Sequence, residues 1–198
     1  MASGGIARSR LAEERKAWRK NHPHGFVARP ETLPDGSVNL MVWRCIIPGR
    51  EGGFAIPDAN PCSYRKWRIR NCYYEVKFNR YHVKLANLFH FTHATALAGA
   101  EFVALKTHNL TSPPSCKFPS GFFHINVYDC GAVCLSILSS GWKPSITVKQ
   151  ILVGIQELFD SPNPNSAAQE ICFELYIKNM PEYRSRVRQQ AKRYPSVL

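Results

Sequence analysis

The spacing of apolar residues predicts a helix at the start of the chain and three near its end. Over residues 6–20 good helix formers dominate, and Leu11, Arg15 and Trp18 fall on helical spacing.

A second helix begins after Thr147, which forms a capping-box pattern with Gln150. Its apolar stripe is Ile151, Ile155 and Leu158, with Val148 and Leu152 beside it. Residues 167–179 and a segment from Pro181 onwards predict two more helices, the last burying Tyr183, Val187, Ala191 and Tyr194.

Strand patterns occupy the first half of the chain. Residues 26–29 and 39–47 predict two strands, and the intervening Pro34, Asp35 and Gly36 are a strong turn signal. Residues 73–78 also alternate, whereas residues 85–105 are apolar and rich in alanine.

Composition predicts one globular domain over residues 1–198. The hydrophobic content of 44% is enough for a core, and no apolar run reaches membrane-spanning length. Seven cysteines without paired spacing, and a start with no apolar signal core, favour a soluble intracellular protein with reduced thiols.

The net charge of +12 favours acidic partners, nucleic acid or nuclear residence. No nucleic-acid-binding motif is present, and the basic-aromatic run 64–70 is more typical of a solvated edge, so specific nucleic-acid binding is not expected. His90 and His93 with Cys62 or Cys72 lack the spacing of a zinc motif, and we expect no metal.

One cysteine stands in a setting suited to acyl transfer. Residues 122–138 read FFHINVYDCGAVCLSIL, with Cys134 eight positions after Asn126 and a Gly131-centred turn between them. A cysteine thiolate accepts and passes on acyl groups, and an asparagine amide can stabilise the oxyanion of each transfer. The alternative is that Cys134 is a buried structural thiol.

This stretch resembles the active-site segment of ubiquitin-like conjugating enzymes. That family shows His-Pro-Asn, a short turn, then Cys-Leu-Ser-Ile-Leu, and this chain matches it at His124, Asn126 and residues 134–138, with Ile125 in place of the proline. The resemblance implies the α+β ubiquitin-conjugating (UBC) fold, with an N-terminal helix, an antiparallel meander sheet and C-terminal helices.

The opening residues resemble the SUMO-conjugating branch, especially its plant members. Residues 6–20 and the following HPHGFVA at 22–28 carry that likeness. It implies that the basic helix binds the activating enzyme and a second, noncovalent SUMO. The residues expected to make these contacts are Arg15, Lys16, Arg19, Lys20 and His22.

The resemblance also implies a reaction. SUMO passes from the activating enzyme to Cys134 as a thioester and then to a substrate lysine, with SUMO ligases as further partners. No cofactor is expected, because ATP is consumed upstream by the activating enzyme. No membrane partner is expected either, and the expected location is the nucleus and cytoplasm. Asn126, Tyr128 and Ser166 are expected beside Cys134, and the substrate groove is expected at Ser115, Lys117, Cys130, Ala132 and Gln169.

The likeness covers about residues 1–50 and 113–198, and residues 54–112 depart from it. We expect this atypical segment to replace the third strand of the sheet with unrelated sequence, and either 73–78 or 100–106 to substitute for that strand. Within the active-site region Ile125, Ser166, Cys130, Ala132 and Ser115 also depart from the family pattern. Two other functions therefore stay open: a catalytically weak relative that binds SUMO or the activating enzyme, and, less favoured, a ubiquitin-conjugating enzyme.

Overall fold

The computed structural model describes residues 3–48, 72–77, 112–191 and 193, with the backbone alone for 72–77. In chain order its main elements are helix α1 (Ser3–Lys20), strands β1 (Val27–Thr32), β2 (Val38–Ile47), β3 (Cys72–Lys77) and β4 (Ser115–Lys117), and helices α2 (Val148–Asp160), α3 (Glu170–Lys178) and α4 (Met180–Ala191). The α+β class, with a helix first, antiparallel strands and then helices, is confirmed.

The four strands form one antiparallel meander in the order β1-β2-β3-β4. The predicted turn joins β1 to β2: the Leu33 N–H donates to Ser37 O at 2.8 Å, and Gly36 adopts a φ of 80°. A positive φ costs glycine little, which explains its place in this turn.

The third position of the sheet is occupied by residues from the atypical segment. Strand β3 pairs with β2, Trp43 opposite Val76 and Ile47 opposite Cys72, and on its other edge with β4, Val76 opposite Cys116. The first of the two expected substitutes, 73–78, therefore forms the strand, one residue earlier than predicted. It gives residues 43–47 of β2 and all three residues of β4 a strand partner. The second substitute, 100–106, lies outside the described residues.

Helix α2 packs on the sheet and completes the main core. Alternate β2 residues Trp43, Cys45 and Ile47 are buried, as are Ile151, Leu152 and Ile155. The capping box predicted at Thr147 and Gln150 is present, with the Gln150 N–H donating to Thr147 Oγ1 at 3.2 Å and the Thr147 N–H to Gln150 Oε1 at 2.8 Å. Burying each large apolar side chain contributes about 1.5–3 kcal/mol.

Helix α1 is fixed to the start of α2. Glu14 forms an ion pair with Arg10 at 2.9 Å and accepts a hydrogen bond from the Val148 N–H, and Arg10 donates to the carbonyls of Pro144 and Ile146. A carboxylate at a helix N-terminus is favourably placed for the helix dipole.

Helices α3 and α4 enclose a second, smaller core. It is formed by Ile125, Cys172 and Tyr183, with Val187 at its margin. Of the predicted buried side of the last helix, Tyr183 is buried, Val187 and Ala191 are half-buried, and Tyr194 lies outside the described residues. Among the described helices, none combines the length and apolar character that crossing a membrane requires.

Candidate active site

Cys134 ends a tight reversal of the chain that begins at Asn126. The Cys134 N–H donates to Asn126 O at 2.9 Å, and Val127 and Val133 form a β-bridge beside this hydrogen bond. The reversal between them depends on Gly131, whose φ is 83° and whose N–H donates to Tyr128 O at 2.7 Å. Asn126 and Cys134, which are eight positions apart in the sequence, are thus joined directly by a backbone hydrogen bond.

The Cys134 thiol differs from the buried thiols of the described chain. Cys45, Cys116 and Cys172 are buried, and burial raises the pKa of each, that of Cys172 to about 12. Cys134 is half-buried and Cys130 is exposed. Because Cys134 is only half-buried, the alternative of a buried structural thiol at this position does not fit.

Tyr128 places its hydroxyl close to the sulfur. The hydroxyl lies 3.9 Å from Cys134 Sγ, and the residue is 46% exposed. The hydrogen bond to Cys134, together with the charge of that thiol when ionised, raises the pKa of Tyr128. Tyr128 is therefore a neutral hydroxyl at the edge of the site, available to an incoming side chain.

The Asn126 amide is fully buried and holds the turn before α3. Its Nδ2 donates to Asn163 O at 2.7 Å, to Ser166 O at 2.9 Å and to Ser166 Oγ at 3.3 Å, while Oδ1 accepts from the Asn163 N–H at 2.9 Å. Ser166 ends a short 3-10 helix, Pro164–Ser166. These contacts bring Asn126 and Ser166 together and show the amide bracing this turn.

Four of the five predicted groove residues belong to neighbouring backbone segments. Ser115 and Lys117 lie on β4, Lys117 forms a β-bridge with Ala132, and Cys130 is exposed at the tip of the adjoining turn. Gln169 lies elsewhere: it is only 8% exposed, donates to Phe122 O at 3.0 Å and accepts from the Cys172 thiol at 2.7 Å. Its amide is therefore directed into the protein.

The basic residues of α1 divide between a groove and open solvent. A groove of about 400 Å³ between α1 and β1 is lined by Arg15, Arg19 and His22. The His22 ring stacks on Trp18 and, because a carbonyl can only accept, its Nδ1–H donates to Trp18 O at 3.0 Å. Lys16 instead pairs with Glu13, and Lys20 is exposed.

Two features of the site were not predicted from the sequence. Arg29 also lines the basic groove, and the alternation of β1, with Ala28 buried and Arg29 exposed, is the signal that would have placed it on the outer face. An open groove of about 690 Å³ also begins next to Cys134, between residues 135–137 and α2. No cluster of metal-ligating side chains occurs within the described ranges.

Comparison with known proteins relates the whole chain to one family. Residues 105–191 match the ubiquitin-conjugating enzyme family. The chain is 47% identical to the SUMO-conjugating enzyme SCE1 of Arabidopsis thaliana, over 100% of both chains.

Two further relatives extend this likeness beyond plants. The chain is 40% identical to the SUMO-conjugating enzyme ubc9 of Dictyostelium discoideum, over 96% of this chain and 97% of that protein. It is 38% identical to the SUMO-conjugating enzyme UBC9 of Caenorhabditis elegans, over 98% of this chain and 95% of that one. The chain therefore belongs to the SUMO-conjugating enzymes, which are transferases of the ubiquitin-conjugating enzyme family.

Proposed function

We propose that this chain accepts SUMO from the SUMO-activating enzyme as a thioester on Cys134 and transfers it to lysine side chains of protein substrates. The observation that carries the proposal is the half-buried Cys134 thiol, which lies beside the Tyr128 hydroxyl. The backbone of the same residue is hydrogen-bonded to Asn126. Membership of the SUMO-conjugating enzymes supplies the substrate class.

The reaction needs two acyl transfers. The Cys134 thiolate attacks the thioester carbonyl of SUMO's C-terminal glycine, so that a new C–S bond forms and the thiol of the activating enzyme leaves. A substrate lysine amine then attacks the Cys134 thioester, a C–N bond forms, Cys134 leaves as thiolate, and the amine proton is lost to solvent. Neither step requires a cofactor, and ATP is consumed upstream.

Asn126 and Ser166 are the side chains proposed to assist the second step. The amide of Asn126 supplies a hydrogen bond to the oxyanion, and Ser166 orients the incoming amine beside Tyr128. In the resting geometry both N–H groups of Asn126 Nδ2 donate to the carbonyls of Asn163 and Ser166, so a hydrogen bond to the oxyanion requires that one of these bonds be given up. The same amide is thus proposed to brace the turn at rest and to assist the transfer.

The substrate is proposed to enter over the surface formed by Ser115, Lys117, Cys130 and Ala132. Cys130 offers only a weak hydrogen-bond donor there and Ala132 none, so recognition of an acidic residue near the target lysine is left to Lys117 and Ser115. Gln169 acts on this surface only indirectly, since its amide is bonded to Phe122 O. The open groove along α2 gives the body of the attached SUMO a surface to rest on.

A second, noncovalent SUMO is proposed to bind the basic groove between α1 and β1. Arg15, Arg19 and Arg29 line this groove with no acidic residue among its lining, which suits an acidic protein surface. The outer side of α1, with Lys16 and Lys20, is left for the activating enzyme. SUMO ligases complete the set of partners. The proposed location is the nucleus and cytoplasm, and the net charge of +12 favours the nuclear part of it.

The test is a charging reaction with activating enzyme, ATP and SUMO, resolved on a non-reducing gel after circular dichroism has shown a cooperative melt. We expect a thiol-sensitive adduct that is absent in Cys134→Ala and becomes a thiol-resistant ester in Cys134→Ser. Cys130→Ser is the matched control, because Cys130 is exposed four residues away and should charge like the wild type.

The same reaction separates the other two functions. A folded chain that is never charged but binds SUMO, with binding lost in Arg15→Glu plus Arg19→Glu, would be a binding module. Charging by ubiquitin and its activating enzyme in preference to SUMO would identify a ubiquitin-conjugating enzyme instead.

A further inference from the structure

The backbone that leads into Asn126 has no regular secondary structure of its own. Residues 123–126 lie in neither a helix nor a strand, yet His124, Ile125 and Asn126 are all buried. Buried N–H and C=O groups must find partners, so the conformation of this segment depends on which groups bond to it from elsewhere in the chain.

Gln190, near the end of α4, bonds both polar groups of the Phe123 backbone. The Phe123 N–H donates to Gln190 Oε1 at 2.6 Å, and Gln190 Nε2 donates to Phe123 O at 3.1 Å. This paired pattern is the one that a neighbouring strand residue would make. The two residues are 67 positions apart, and Gln190 is half-buried. Its side chain therefore holds Phe123, the first residue of the segment 123–126.

The remaining residues of the segment are tied to the C-terminal region as well. The carbonyl of Ile125 accepts from the Ala168 N–H at 2.7 Å, and the Ile125 side chain packs on Cys172 and Tyr183. Tyr183 also lies against the Phe123 ring, with 5.3 Å between ring centres, and Arg186 lies over the same ring. Contacts from α3, α4 and the turn before them therefore fix the segment along its length.

Ile125 gives these contacts more importance in this chain. A proline at this position would lock its own φ, whereas isoleucine leaves the torsion free to respond to its surroundings. The direction in which Asn126 projects is then set by the hydrogen bonds on either side, and Gln190 supplies the pair on the N-terminal side.

We propose that Gln190 is a positioning residue for the transfer reaction, holding residues 123–126 so that Asn126 keeps its place beside Cys134. This rests on the proposed function, because the role is defined for discharge of the Cys134 thioester. Gln190 touches neither substrate nor sulfur and acts through Phe123, Ile125 and Asn126.

The test variant is Gln190→Met, which keeps a side chain of similar length and removes both hydrogen bonds. Gln189→Met, at the exposed neighbouring position of α4, is the matched control. Single-turnover discharge of the Cys134 thioester onto free lysine is measured over a range of lysine concentrations. Amide hydrogen exchange is measured for residues 122–127 and, as an internal reference, for α2.

We expect Gln190→Met to be charged at the wild-type rate but to discharge about ten- to a hundredfold more slowly, because small misplacements of catalytic groups are costly. The loss should fall on the maximal rate, with the lysine concentration for half-maximal rate unchanged. Exchange in residues 122–127 should rise about tenfold with α2 unaffected, and Gln189→Met should behave as the wild type.

Three results would overturn the positioning role: unchanged exchange in residues 122–127, an equal rise in α2 that marks general destabilisation, or wild-type discharge in Gln190→Met. A wild-type chain that is never charged would overturn the proposed function instead. If both variants are charged normally and discharge at the same rate, the positioning role of Gln190 is ruled out while the proposed function stands.

Discussion

The side chain of Asn126 and the backbone of Asn163 are joined by two opposed hydrogen bonds. Asn126 Nδ2 donates to Asn163 O at 2.7 Å, and the Asn163 N–H donates to Asn126 Oδ1 at 2.9 Å. A residue that precedes Cys134 by eight positions is thus fastened to a turn 37 residues further along the chain. Because of this link between the segment before Cys134 and the turn that carries Ser166, we expect a change at Asn126 to alter both stability and transfer.

Replacing Asn126 by alanine is expected to reduce both the stability of the fold and the rate of transfer from Cys134. The change leaves the Asn163 N–H and two carbonyls without this partner. Because Asn163 is exposed and Ser166 half-buried, water can replace part of these bonds, and each lost bond costs about 0.5–1.5 kcal/mol. The free energy of unfolding, measured by denaturant titration, should fall by about the sum of these losses. Single-turnover discharge should fall about a hundred- to a thousandfold if the amide also serves the oxyanion.

Asn165→Ala is the control for Asn126→Ala, because Asn165 is exposed in the same turn. It should change neither measurement appreciably. A stable Asn126→Ala protein with slow discharge would show that the amide acts only on the oxyanion. The reverse result, lost stability with normal discharge per folded molecule, would show that it only braces the turn.

The local parts of this arrangement could be predicted from the sequence. The capping box at Thr147 and Gln150, the apolar stripe of α2 and the turn at Gly131 are set by residues a few positions apart, and each is present. Their energetics depend on short-range spacing, which a sequence displays directly. The same holds for the strand near residues 73–78, whose alternation marked it as a candidate.

The long-range parts could not be predicted in this way. The bonds from Asn126 to Asn163 and from Gln190 to Phe123 span 37 and 67 residues, and no periodic pattern connects such positions. Gln169 shows the same limit, since a polar residue in a loop gives no sign that its amide is bonded to Phe122 and Cys172 inside the protein. Such contacts are decided by how the elements pack.

Ser166 is expected to limit the rate of lysine attack because it brings no charge. Ser166→Ala removes only the 3.3 Å contact from Asn126 Nδ2, so the free energy of unfolding should change by less than about 1 kcal/mol. Ser166→Asp adds a proton acceptor beside the incoming amine and should speed discharge by about tenfold or more.

The control for Ser166→Asp is Asn165→Asp, which adds the same charge at the exposed neighbouring position. It should leave the single-turnover rate of discharge unchanged. Equal acceleration by both variants would indicate a general effect of negative charge and would contradict a specific role for position 166.

Acid is expected to destabilise the fold through His124. Burial lowers the pKa of His124 from 6.5 to about 3, so the unfolded chain binds a proton on this ring at a higher pH than the folded chain does. The stabilisation is therefore present above about pH 6.5 and is lost as the pH falls towards 3. Within that window this one group contributes a slope of about 1.4 kcal/mol per pH unit to the free energy of unfolding.

His124→Asn tests this slope while keeping a hydrogen-bond acceptor. The Asn126 N–H donates to His124 Nδ1 at 3.0 Å, and an asparagine oxygen two residues earlier can accept the same bond. Denaturant titrations at pH 7 and pH 5 should show a smaller drop for the variant than for the wild type. Parallel curves for the two proteins would mean that His124 is not the group responsible.

Restoring proline at position 125 is expected to destabilise this protein, although proline stands there in the family it resembles. Ile125 is fully buried and packs against Tyr183 and Cys172. Proline removes part of this packed side chain, so Ile125→Pro should cost about 1–3 kcal/mol.

A double-mutant cycle tests whether the cost comes from packing on Tyr183. Tyr183→Leu should destabilise the wild type more than it destabilises Ile125→Pro, which has already lost part of this contact. Denaturant titration of the four proteins gives the coupling. An Ile125→Pro protein more stable than the wild type would contradict the expectation.

The turn between Asn126 and Cys134 is expected to tolerate only glycine at position 131, and Gly121 offers a matched comparison. Both glycines have positive φ, 83° for Gly131 and 75° for Gly121. A Cβ at Gly121 would meet nothing within 4 Å, whereas one at Gly131 would clash with the carbonyl of Phe118. Gly121→Ala should therefore cost only the conformational term, about 1–2 kcal/mol.

Gly131→Ala adds the clash to the same conformational term, and its cost should exceed that of Gly121→Ala by about 2 kcal/mol or more. The clash cannot be relieved locally, because the Phe118 N–H donates to Gly131 O at 2.8 Å and holds the two backbones together. Any relief must shift residues 127–133, which carry Tyr128 and lead directly into Cys134. Discharge measured per folded molecule should therefore fall in Gly131→Ala and stay normal in Gly121→Ala, and equal effects of the two substitutions would contradict this account of the turn.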